Sequence, residues 1–138
     1  MSQETAAVNE RGLYVPLRDY ATDEFHNGWL IYRPTDDPFF VRIQIDGSAV
    51  PLDVPRAVLQ QGMDQDAACM ELWACPAADA GWVLWTVQCG GLRRRTFRVP
   101  RNLVAKHLTA LYELVPLGQE GDRIDWDGAL TVLLGGAS

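Results

Sequence analysis

The stretch from Trp29 to Gly62 does most to restrict what this chain can fold into. Within it Phe39, Val41, Ile43 and Ile45 alternate with Phe40, Arg42 and Gln44. A period of two marks a strand with one buried face, so those four apolar residues are expected to point at a core. Asp46-Gly47 follows at once, the residue pair that favours a tight two-residue hairpin turn. Ala49 to Leu52 reads as the return strand. Asp53 is placed to cap a short helix that takes Pro55 in its first turn and ends at Gly62. A hairpin feeding a helix is a scaffold, and nothing in it is a catalytic signature.

The flanking segments continue the pattern. Leu13, Val15 and Leu17 alternate with Tyr14, Pro16 and Arg18. Pro16 cannot donate to a ladder, which predicts an edge strand. Asp19 to Asn27 is polar and reads as a loop before a strand beginning at Trp29. Beyond the helix, Cys69, Glu71 and Trp73 alternate with Met70 and Leu72, with Trp73 expected in the core. Cys75 to Gly81 has the length of a hairpin loop, and Val83, Trp85 and Val87 alternate with Trp82, Leu84 and Thr86. Gly90-Gly91 permits another turn, and Leu92 to Val99 returns. After Pro100, the residues Leu103, Val104, His107, Leu108, Leu111 and Tyr112 recur at helical spacing until Val115-Pro116-Leu117-Gly118 stops them. A last helix is predicted after Asp125, with Trp126, Leu130, Leu133 and Leu134 on its buried face. Hairpin-like connections between strands imply antiparallel pairing and the α+β class.

At 138 residues the chain has the length of one domain, 11–138, preceded by a frayed tail from Met1 to Glu10. That tail lacks the basic and apolar regions of a signal peptide, and no segment approaches the length of a membrane span. An odd cysteine count, Cys69, Cys75 and Cys89, without CxxC pairing suits a reducing cytoplasm. The net charge of −6 argues against a general nucleic-acid binder.

Catalytic and metal signatures are weak throughout. His107 falls on the apolar face of the long helix, where a packed structural role is the better explanation. His26 sits in a polar stretch without an obvious partner. Asp36-Asp37, Asp64-x-Asp66 and Asp125-x-Asp127 lie at loops and helix starts, where turn and cap duties explain them. No metal or cofactor is implied, and the glycine pairs lack the Lys and Ser/Thr of a phosphate loop.

Two features point to a surface. Arg93, Arg94 and Arg95, with Arg98 and Arg101 beyond, form the sharpest charge run. They could form an anion or nucleic-acid strip, with Trp82, Trp85 or Phe97 available for stacking. The blander explanation is a solvated strand whose arginines pair with the chain's many carboxylates. Trp29 and Trp82, near predicted turns, are candidates for a contact patch.

The order and spacing of several residues carry a resemblance. Leu30-x-Tyr32, Asp37-Pro38-Phe39-x-Val41, Arg56-x-x-Leu59-x-x-Gly62, Trp73 with Pro76, Pro100-Arg101, Val115-Pro116-x-Gly118-x-Glu120 and Asp125-x-Asp127 with Leu130 and Leu133 occur in sequence. Together they resemble the SsgA-like family of sporulation and cell-division regulators from mycelial actinobacteria, over about Leu13 to Leu134. Residues Asp64 to Cys69 and the basic Arg93 run depart from the family pattern. The resemblance implies two antiparallel sheets, a short helix and two C-terminal helices, similar to the Whirly type, assembled as a trimer. It implies no catalysis. It implies an adaptor at the division septum, with the tubulin-like protein FtsZ, its membrane tethers or other family members as partners. The alternative function is a single-stranded nucleic-acid-binding module.

Overall fold

The computed structural model describes residues 10–47, 51–88 and 93–123. The described residues form eight strands: β1 (Arg11–Asp19), β2 (Phe25–Arg33), β3 (Asp37–Ile45), β4 (Leu52–Pro55), β5 (Ala67–Ala68), β6 (Leu72–Pro76), β7 (Trp82–Gln88) and β8 (Arg94–Pro100). Two α-helices, α1 (Arg56–Gln61) and α2 (Arg101–Leu114), and a 3₁₀ turn at Glu120–Arg123 accompany them.

The α+β class and the antiparallel pairing are as expected, but the prediction of two sheets is not. All eight strands belong to one sheet, in the order β4-β3-β2-β1-β8-β7-β6-β5. Its two four-stranded halves meet through only two residue pairs, Arg18↔Arg98 and Asp19↔Phe97. Each half is a run of hairpins, and local turn chemistry carries no information about whether β1 and β8 will meet.

That seam also corrects the placement of β1. Pro16 lies in an interior strand, not at an edge. The amide of Asp19 points toward β2, donating to the Glu24 carbonyl, whereas that of Tyr20 donates to the Thr96 carbonyl in β8. Strand alternation therefore turns the Pro16 nitrogen toward β8, ahead of the point where the β1–β8 ladder begins. Helix α2 closes the opened gap, where His107 Nε2 lies 2.7 Å from the carbonyl of Tyr14. His107 thus has a structural partner.

One sheet face is buried under the helices. Val15, Leu17, Leu30, Tyr32, Val41, Ile43, Val54, Leu72, Val83, Trp85, Phe97 and Val99 pack with Leu59 of α1 and Val104, Leu108 and Leu111 of α2. The 3.6-residue period predicted for α2 is present over the expected span.

Other local expectations need correction. Phe39 does not face the core and is 40% exposed. The β2–β3 register shifts between Tyr32 and Arg33, and Pro38 takes the inward place, its carbonyl accepting a 2.7 Å hydrogen bond from the Tyr32 hydroxyl. Trp73 is 49% exposed, because Leu72 and Ala74 occupy the inward positions of β6. Asp53 does not cap α1. It lies in β4 and pairs with Arg42, and the helix begins after Pro55. The Asp46-Gly47 turn is present, with Gly47 at φ +85°, but the connection to Leu52 is longer than two residues. The stretch Asp19–Asn27 is turn and loop from Tyr20 to Glu24, as expected, but Asp19 still belongs to β1 and Phe25 to Asn27 already belong to β2. Gly62 does end α1, yet its backbone is right-handed. Space explains the residue, since a Cβ there would lie 2.4 Å from that of Ala74. The predicted helix after Asp125, the Gly90-Gly91 turn, Cys89 and nearly all of the tail lie outside the described residues.

Candidate functional site

The arginine run is divided by the alternation of β8. Arg95 turns to the helix-covered side, where its Nε and Nη2 lie 3.1 and 2.9 Å from Asp19 Oδ2. Its Nη2 also lies 3.0 Å from His26 Nε2. A guanidinium can only donate, so the imidazole accepts there. Asp19 Oδ1 meanwhile receives the amides of Ala21 and Thr22 at 2.8 and 3.1 Å, which fixes the β1–β2 turn. Burial works against the charge on Asp19, but these hydrogen bonds and Arg95 outweigh it, and the carboxyl titrates below its usual range. Arg101 lies at the start of α2, where it bonds the carbonyl of Met63 and the Asp64 carboxylate. Both arginines are thus paired with a carboxylate.

Arg94 and Arg98 point to the other sheet face, the one that carries neither α1 nor α2, and Arg93 is exposed just before β8. Arg93, Arg94 and Arg95 line an open groove with Asp19, Thr22 and Thr96. The Arg98 guanidinium lies 4.8 Å from the centroid of the Tyr20 ring. Arg98 also lines a cavity of about 330 Å³ with Tyr20, Trp82 and Leu84, closed on one side by Ala77 to Asp79. The fold therefore brings together Trp82 and Arg98, which the sequence singled out separately.

Trp29 does not join them. It stands on the same open face in β2, 42% exposed, with its ring 5.3 Å from that of Tyr14 in an edge arrangement. Strands β1 and β8 lie between it and Trp82, so the two tryptophans belong to separate patches.

Sequence reasoning missed Arg18 and Tyr20 at this site. Arg18 was legible as an outward residue of β1, but its position opposite Arg98 depends on pairing between distant strands. Tyr20 lay in a stretch read as loop.

The residue pattern of a family described as Streptomyces sporulation and cell division protein, SsgA, matches residues 28–120. The chain belongs to the SsgA family. A relative, the sporulation-specific cell division protein SsgB of Salinispora tropica, is 29% identical over 116 residues, with 78% of each chain covered. The solved structure of SsgB from Streptomyces coelicolor shares the fold at a TM-score of 0.73 and 17% identity, covering 81% of this chain and 91% of that one. An SsgA-like sporulation-specific cell division protein from Thermobifida fusca matches at the same TM-score with 23% identity, over 89% and 93% of the two chains. Membership of the SsgA family places the chain among proteins of sporulation-linked cell division.

Arg56, within the residues matched to the SsgA family, is buried among polar partners. Its side chain is 2% exposed and donates to the Tyr32 hydroxyl at 3.1 Å, the Leu111 carbonyl at 3.2 Å and Glu120 Oε1 at 3.0 Å. The guanidinium also lies 4.1 Å from the Tyr112 ring centroid. Burial raises the phenols of Tyr32 and Tyr112 above their ordinary range, against the pull of Arg56. Among the other reactive groups, burial and then Asp66 push the Cys75 thiol up, which disfavours the nucleophilic thiolate.

Proposed function

We propose that this protein is a non-catalytic adaptor of sporulation-linked cell division that helps place the division machinery at septum sites. The match of two thirds of the chain to the SsgA family carries this reading. The partners would be FtsZ, its membrane tethers or other members of the family. The protein would work in the cytoplasm at the septum, as a homo-oligomer and most simply a trimer.

The side chains support an adaptor over an enzyme. His26 is occupied by Arg95, His107 by the Tyr14 carbonyl, and the buried ionic groups Asp19 and Arg56 by their partners. The open sheet face instead exposes Tyr14, Trp29 and Trp73, a composition suited to protein contact. No described helix is long and apolar enough to cross a membrane, so contact with a tether would be made through a surface.

A fluorescent fusion expressed in the sporulating host tests the proposal. Foci should form at nascent septa together with labelled FtsZ, and deletion of the chain should disturb septum placement. Diffuse fluorescence combined with normal septation would overturn it. Sedimentation that shows only monomer at micromolar concentration would remove the oligomer from the proposal.

A further inference from the structure

Arg18 and Arg98 face each other across the β1–β8 seam on the open side of the sheet. Like charges directly opposite in a ladder are unfavourable, and this ladder has only two pairs. Arg18 reaches Asp23 at 3.4 Å, with both side chains well exposed, a contact too loose to neutralise it. Arg98 has no carboxylate within ion-pair distance among the described residues, and it stacks on Tyr20 instead. The seam thus keeps two cations on paired residues incompletely compensated, and one of them, Arg98, lines a cavity walled by Tyr20, Trp82 and Leu84.

Those two properties select a ligand. The cations receive a carboxylate, and the ring and aliphatic walls receive an apolar side chain. We propose that this cavity docks a short acidic segment of a partner protein. One carboxylate of that segment is held by Arg18 and Arg98, and an aliphatic or aromatic side chain one or two residues away rests against Tyr20, Trp82 and Leu84. The proposal rests on the adaptor reading and supplies its contact.

Charge decides between an acidic peptide and a nucleic-acid strand. A strand needs a cationic groove that follows its backbone. Here Arg95 and Arg101 are already committed to Asp19 and Asp64. Asp79 borders the cavity, and Asp23 stands beside Arg18. A peptide with a single anchoring carboxylate meets the two arginines without running along those acids, and the protein's net charge of −6 repels a polyanion elsewhere.

The test is titration of the isotopically labelled full chain with a short synthetic peptide in which a single Asp is flanked by Leu, followed by NMR. Three controls accompany it: the same peptide with Asn for Asp, an oligothymidine strand, and sedimentation. Saturable shifts centred on Tyr20, the Trp82 indole and Arg98 are expected for the acidic peptide alone. Arg98→Glu should weaken binding at least tenfold, and Trp82→Ala should weaken it while leaving the fold unchanged. Arg98→Glu also gives Arg18 an opposite charge across the seam, so its melting temperature should hold or rise. If that variant fails to fold, Arg98→Gln replaces it with the same expected loss. No binding, equal binding of the Asn peptide, or shifts centred elsewhere would overturn the proposal. So would Arg98-dependent binding of oligothymidine, or an Arg98→Glu variant that dissociates an oligomer, which would make the cavity a contact between copies. Septal foci that persist without peptide binding would remove this site while leaving the adaptor reading intact.

Discussion

The carboxylate of Asp19 and the guanidinium of Arg95 meet at 2.9 Å where the two halves of the sheet join. The pair reinforces a seam of two backbone pairs, and it holds the turn that carries Tyr20. The folded Asp19 carboxyl is depressed below its unfolded value of about 3.9. Its contribution to stability is therefore present above that pH and lost as pH falls through the folded pKa. The stability difference between the native chain and Asp19→Asn should be constant near neutrality and shrink on acidification below about pH 4. Urea unfolding at a series of pH values measures it. The loss at neutrality should stay below the roughly 3–5 kcal/mol of a fully buried broken pair, because the Arg95 side chain is 36% exposed.

Arg56 joins α1 to β2, α2 and the 3₁₀ turn through three acceptors and a ring. Arg56→Ala leaves the Glu120 carboxylate without this counter-ion and should cost roughly 3–5 kcal/mol. Arg56→Lys keeps the charge but cannot reproduce the planar fork, so it should rescue only part of that loss. Denaturant midpoints for the two variants check both expectations.

Gly62→Ala should be destabilising even though its backbone angles suit any residue. The added methyl would meet the Ala74 Cβ and push α1 away from β6. Overpacking of this kind costs about 1–3 kcal/mol, readable as a fall in melting temperature. A neutral or stabilising result would show that α1 shifts freely on the sheet.

The double variant Arg94→Glu with Arg98→Glu should lose septal foci while its melting temperature changes little, because Arg94 is exposed and Arg98 is half-buried without an ion pair among the described residues. The two residues share the open face of β8. Normal foci in this variant would exclude the arginine strip as the docking surface. Loss of foci together with a large fall in melting temperature would assign the arginines a structural role.

Legibility in the sequence followed the range of the interaction. The outward set of β7, Trp82, Leu84 and Thr86, and the buried stripe of α2 are repeated locally, so period alone revealed them. The inward set of β3 was readable from Val41 to Ile45. It failed at Phe39 because the bulge is set against β2 and by the bond from Tyr32 to the Pro38 carbonyl. Trp73 shows the same limit, since the inward parity of β6 depends on the strand it pairs with. Of the candidate site, Trp82 and Arg98 were marked in the sequence, but nothing local said that one cavity would hold both.

By itself, then, the amino-acid sequence determined the α+β class, the antiparallel hairpins, the long amphipathic helix and the family motifs. Each depends on neighbours a few residues away or on fixed spacing. Only the tertiary structure decided that one sheet replaces two, that Pro16 can lie in an interior strand, and that Arg95 is drawn to Asp19 while Arg98 remains beside Trp82. Those outcomes turn on the meeting of β1 with β8, a non-local pairing whose energy is set by burial and charge at the seam.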